Sequence, residues 1–120
     1  MRNKYLVRGN LVKALKVMGL SLPEAVNSAK KYNKGLLDLY DLMNLCGTIE
    51  EIESHSTGYC DLCSVEGYES VCKLTRPSGL EMLVYLKYGC VGLSLQKVEK
   101  NGEVVWISHG DLVYGEPLIK

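Results

Sequence analysis

Apolar and polar positions alternate with two different periods along this chain, and the period changes near its middle. In the first part the spacing is helical. Leu11, Val12, Ala14, Leu15, Val17 and Met18 recur at three- and four-residue intervals, with Lys13 and Lys16 on the other side. Gly19 stops this helix, as a residue tolerant of the left-handed region does. Ser21-Leu22-Pro23-Glu24 then has the form of a capping box, with Pro23 in the first turn, where its missing N–H costs little. Leu22, Ala25, Val26 and Ala29 form the apolar stripe of this second helix, and Asn27, Lys30, Lys31 and Lys34 lie mostly off it. After Lys34-Gly35, the residues Leu36, Leu37, Leu39, Tyr40, Leu42, Met43 and Leu45 predict a third helix. It is apolar over more than half its circumference and so reads as a central helix with neighbours on two sides, stopped by Cys46-Gly47. Thr48-Ile49-Glu50-Glu51 has the pattern of another capping box and predicts a short fourth helix to about Ser54.

Beyond Gly58 the period falls to two. Tyr68 to Thr75 alternates as a strand, and Arg76-Pro77-Ser78-Gly79 is a turn signal. Leu80 to Tyr88 carries both patterns: strand-like alternation and a Ser78-x-x-Glu81 box. The tight turn before it favours a strand closing a hairpin. Cys90 to Val98 alternates again, and Asn101-Gly102 predicts a two-residue hairpin turn into Val104–Ile107. Lys4–Arg8 reads as a short strand or a lead-in to the first helix, and Asp111 to Ile119 as an added edge strand limited by Pro117. The pattern thus predicts one α+β domain over residues 1–120. An N-terminal half (1–56) of three to four short helices, helix-turn-helix-like, packs on a C-terminal antiparallel β-sheet (57–120), with a Cys-x-x-Cys knuckle where they meet.

Composition adds little to this picture, and charge adds more. Hydrophobic content of 47% and charged content of 23% are ordinary for a soluble domain, while eight Tyr without a single Phe is unusual. The net charge is zero, yet residues 1–35 hold eight cations against one acid, a net of +7, and residues 36–120 hold six against thirteen, a net of −7. No apolar run of signal-peptide type follows the N-terminal residues, and none approaches a membrane span. The expectation is a cytoplasmic protein without a membrane partner.

Cys60-Asp61-Leu62-Cys63 is the first candidate for chemistry. A turn of this spacing can direct two thiolates at one zinc ion, and a structural site needs four N or S ligands. Cys72 and Cys90 are the candidates to complete the set, with His55 or His109 as alternatives for the fourth position. A disulfide, or free buried thiols, are the competing readings, and Cys46 reads as plain core. A thiol redox protein is a minor alternative, because Ser64-Val65-Glu66-Gly67 is a poor start for the helix that would lower a thiol pKa. Ser108-His109-Gly110-Asp111 gathers hydrolase residue types, but sequence neighbours on a strand alternate faces and form no triad, so no enzyme is predicted.

The segment Ala14–Val26 resembles a helix-turn-helix core: helix, glycine turn, capped helix. That resemblance implies a second helix entering a DNA major groove, with Asn27, Lys30, Lys31 and Lys34 at bases or phosphates. Arg2, Lys4 and Arg8 would then form a phosphate-clamping arm. The functional expectation is a small, zinc-stabilised, non-enzymatic regulatory protein that binds nucleic acid, DNA rather than RNA, compatible with a homodimer. The alternative is a protein–protein interaction module or inhibitor, of viral or mobile-element type, acting through its acidic C-terminal part.

Overall fold

The computed structural model describes residues 7–9, 11–62, 64–89 and 92–108. A short strand β1 (Val7–Gly9) precedes three helices, α1 (Leu11–Val17), α2 (Leu22–Asn33) and α3 (Leu39–Cys46). Five strands follow: β2 (Thr48–Tyr59), β3 (Glu66–Thr75), β4 (Glu81–Gly89), β5 (Gly92–Lys100) and β6 (Glu103–Ser108).

The helix ends follow local chemistry. At the C-terminus of α1, the Leu20 amide donates to the Leu15 carbonyl and the Gly19 amide to the Lys16 carbonyl, both at 3.0 Å. This is a Schellman closure with Gly19 at φ 119°. The same closure ends α2 around Gly35, through Leu36 N to Lys31 O (2.9 Å) and Gly35 N to Tyr32 O (3.0 Å). Both arms of the Ser21/Glu24 capping box form, at 3.1 and 3.3 Å. The third helix starts later than its leucine run predicts. Asp38 and Asp41 cap each other's amides at 3.0 and 2.7 Å, leaving Leu36 outside the helix and 67% exposed. Leu39, Leu42, Met43 and Cys46 are buried while Tyr40 and Leu45 are exposed, so α3 packs on one side and not two.

The expected division into a helical half and a sheet half is overturned. No fourth helix forms at Thr48: that segment opens β2, a twelve-residue strand paired with β3 from Thr48↔Thr75 to Tyr59↔Glu66. A cap pattern in Thr48-Ile49-Glu50-Glu51 is a local preference. The ladder to β3 recruits the same β-branched residues and prevails. Among the described residues the arrangement is three short helices followed by a sheet. The sheet order is β1-β6-β5-β4-β3-β2, an antiparallel meander with β1 added parallel to β6 at one edge. The Cys-x-x-Cys knuckle is not shown, since Cys63 is not among the described residues. The expected strand from Asp111 to Ile119 also lies outside them.

The hairpins agree with the sequence. Residues 81–89 are a strand, resolving the two patterns at Leu80–Tyr88. Asn101 (φ 52°) and Gly102 (φ 80°) make the turn between β5 and β6 with both residues left-handed, as such tight hairpins require.

One sheet face carries the core. The register aligns Cys72, Val84, Val98 and Trp106 in a row, flanked by Leu74 with Met82 and by Leu86 with Leu95. Ala14, Leu15 and Met18, with Ala25 of α2 and the four buried residues of α3, close over this face. The opposite face carries a polar cluster: Lys97 Nζ sits 4.4 Å from the Tyr85 ring centroid, and Tyr85 Oη donates to Glu99 at 3.1 Å.

Arg76, in the β3–β4 turn, joins the two layers. Its guanidinium donates to the carbonyls of Cys46, at the end of α3, and of Gly19 (3.3 Å), just past α1. Both carbonyls lie at the negative ends of helix dipoles. A Cβ at Gly19 would overlap the guanidinium, and one at Gly47 would overlap the Thr75 carbonyl. Arg76→Ala is expected to lower stability by about 2–3 kcal/mol, the range for hydrogen bonds to a charged group, with Arg76→Lys recovering only part of it. Gly19→Ala is expected to cost more than about 1 kcal/mol. Urea unfolding midpoints with unchanged slopes check both.

Candidate binding surfaces

Of the four candidate metal cysteines, Cys60 and Cys72 are among the described residues, and they lie far apart. Cys72 is buried in the middle of β3, facing the helices across from Val84. Cys60 lies just past the β2–β3 pair Tyr59↔Glu66, where its amide donates to the Val65 carbonyl at 3.0 Å. Six residue steps along β3 lead from Glu66 to Cys72, so the two cysteines are roughly 20 Å apart. One zinc ion reaches sulfurs only about 2.3 Å away, so Cys60 and Cys72 cannot share it. Cys63, Cys90 and His109 lie outside the described residues. His55 is on β2, 3.0 Å from Glu69 on β3. Among the described residues no three His, Cys, Asp or Glu side chains are grouped to hold a metal.

Cys46 and Cys72 behave as core groups. Burial pushes the Cys46 thiol from 9.0 up to about 11, against the opposing pull of Arg76, and its Sγ donates to the Leu42 carbonyl at 3.4 Å. Burial, and then the Glu51 carboxylate, raise the Cys72 thiol as well. Both stay protonated near neutrality, which removes them as nucleophiles.

The candidate nucleic-acid residues fall into two groups. Asn27, Lys30, Lys31 and Lys34 are all exposed on or just after α2, and Lys13 and Lys16 are exposed on α1. Glu24, the one acid of this helix pair, is held in its cap. The Ser21 amide and hydroxyl together draw its carboxyl below the usual range. Arg8 is in β1, paired with Ile107, while Arg2 and Lys4 lie outside the described residues.

A second surface lies on the acidic part of the chain, as a groove that the sequence did not reveal. The buried part of the core face runs from the Leu74–Met82 pair to the Leu86–Leu95 pair. Beyond the N-terminus of α3 the same face continues uncovered as a groove of about 420 Å³. Tyr40, Tyr68 and Tyr88 line it with Ser54, Ser70 and Leu93, and Asp38 and Glu51 supply its charges. Burial first, and then the charges of Cys72, Glu51 and Asp38, push the Tyr40 phenol up. Its signal in the sequence was the row of same-face residues on β3, Leu74-Cys72-Ser70-Tyr68, which turns from apolar to polar as it leaves the helices. A Tyr in place of Phe suits a position half in water.

No family model matches the chain, and neither the curated proteins nor the solved structures give a match. Among the described residues, no helix is long and apolar enough to cross a membrane.

The thiols give a pH signature. The unfolded chain releases the Cys46 proton first, so stability is full below about pH 9 and falls as pH rises through about 11. A two-unit shift corresponds to roughly 3 kcal/mol. Denaturation across this range should show that fall, and Cys46→Ala should remove the part Cys46 contributes. Mass mapping after iodoacetamide at neutral pH should find Cys46 and Cys72 unmodified in the native protein and alkylated in urea.

Proposed function

We propose that the protein binds nucleic acid without catalysis, through phosphate contacts made by the lysines of α1 and α2. The observation that carries this reading is the charge of the helix pair's outer surface. It presents five exposed lysines, Lys13, Lys16, Lys30, Lys31 and Lys34, and its one carboxylate is engaged in a cap. Lysines at such density attract a polyanion by releasing its counterions, a sequence-independent interaction. Asn27, exposed one turn before Lys30 and Lys31, supplies a donor and an acceptor toward a base edge. Lys30 and Lys31 also sit in the last turn of α2, where cations ease the helix dipole, so structure and recognition ask for the same residues. The reading rests on the lysines and not on zinc; Cys60 and Cys72 cannot ligate one ion. A regulatory role follows from occupancy of nucleic acid by a small domain, with duplex DNA as the expected form.

The test is a gel-shift or anisotropy titration with random-sequence duplex DNA. Affinity is expected to fall roughly 100-fold or more between about 50 and 200 mM salt, as four or five phosphate contacts require. Lys30→Glu with Lys31→Glu should abolish binding while circular dichroism stays unchanged. Salt-independent binding, or binding that survives the double variant, overturns the reading.

A further inference from the structure

The groove beside α3 opens directly onto an unpartnered sheet edge. β2 is last in the strand order and hydrogen-bonds only to β3, so the far side of its backbone has no strand neighbour among the described residues. It is long, about 40 Å for twelve residues, and eleven of the twelve are exposed. Exposed edges invite another strand, and proteins usually shorten, cover or charge them. Here the edge is charged with one sign, by Glu50, Glu51 and Glu53.

Those charges are only partly neutralised from within. Lys73 lies 3.6 Å from Glu50, and no cation pairs with Glu51, Glu53 or Asp38 among the described residues. Glu51 shares the groove face, since it pairs in register with Cys72, and so do Ser54 and Ser70. Three tyrosine rings, each between 38% and 43% exposed, stand beside those carboxylates, and no Lys or Arg lines the groove.

We infer that β2 and the adjoining tyrosine groove form a docking surface for an extended, basic segment of a partner protein. Its backbone adds to β2 as a further strand. Strand side chains alternate, so every second residue of the segment turns toward the groove. A Lys or Arg there meets Glu51 and Asp38 and lies against Tyr40, Tyr68 or Tyr88, whose ring faces attract cations. Charge decides against a second copy of this chain as occupant: its β2 carries no Lys or Arg to meet Glu51 and Asp38. This surface is distinct from the lysine face of α1 and α2, and the inference does not depend on nucleic-acid binding.

The probe is a fluorescent peptide of about ten residues alternating Lys or Arg with Thr or Val, compared with its Glu counterpart and with a version N-methylated at alternate amides. The full protein is titrated by anisotropy, and amide shifts locate the contact. The basic peptide should bind and perturb β2 amides. Both the Glu peptide and the N-methylated peptide should bind at least about tenfold more weakly. Glu51→Lys and, separately, Tyr88→Ala should each weaken binding about tenfold, while Lys30→Glu leaves it unchanged. Both altered residues are exposed, and circular dichroism verifies that each variant folds. Equal binding of the N-methylated peptide, shifts confined to other strands, no saturable binding, or self-association blocked by Glu51→Lys each overturns the inference.

Discussion

Two helices end on one guanidinium. The three helices are short, and none has an apolar face large enough to hold itself in place. What fixes them is that α1 and α3 bring their C-terminal carbonyls to Arg76, on the turn that starts the β3–β4 hairpin. The close approach explains why Gly19 and Gly47 stand where they do, since any side chain there would displace the arginine or the strand end. Core burial then follows, because α1 and α3 so placed lie over the row from Cys72 to Trp106. Among the described residues, the buried Trp106 indole N–H finds no hydrogen-bond partner. Such a group costs about 1–3 kcal/mol, which the packing around it must offset.

The same placement separates charge. Because the helices sit on one face and stop short of the Tyr68–Tyr88 end, lysines gather above the covered part. Carboxylates gather at the uncovered part and along β2. A chain with zero net charge therefore presents two surfaces of opposite sign. Surface ion pairs inside the sheet are local and weak. Lys73 reaches both Glu50 and Glu81, at 3.6 and 3.8 Å, and this pins β3 between its neighbours more than it changes the larger pattern.

Much of the fold was written locally. Gly19, Gly35, the Ser21/Glu24 box and the Asn101-Gly102 turn act through their own backbone conformation, so their neighbours in sequence suffice to read them. The segment from Thr48 is different. Its cap-like pattern was real as a preference, but the partner that makes it a strand begins at Glu66, and only the ladder decides. The role of Arg76 was hidden for the same reason: the turn was legible, but the two carbonyls it serves come from residues 19 and 46. Among candidate site residues, the exposure of Asn27, Lys30, Lys31 and Lys34 followed from helical periodicity. Cys60 and Cys72 were grouped in the sequence because spacing along the chain says nothing of the strand length between them. The tyrosine groove was missed because it spans α3, β2, β3, β4 and β5.

The first and last described strands are neighbours. β1, ahead of every helix, lies beside β6, with Val7 opposite Trp106 and the whole meander between them in sequence. During synthesis β1 must therefore wait for β6 until about a hundred further residues have left the ribosome. Contacts of such range slow folding, so the α1–α2 hairpin and the β3–β4 hairpin have time to form first, and the N-terminal strand latches on last.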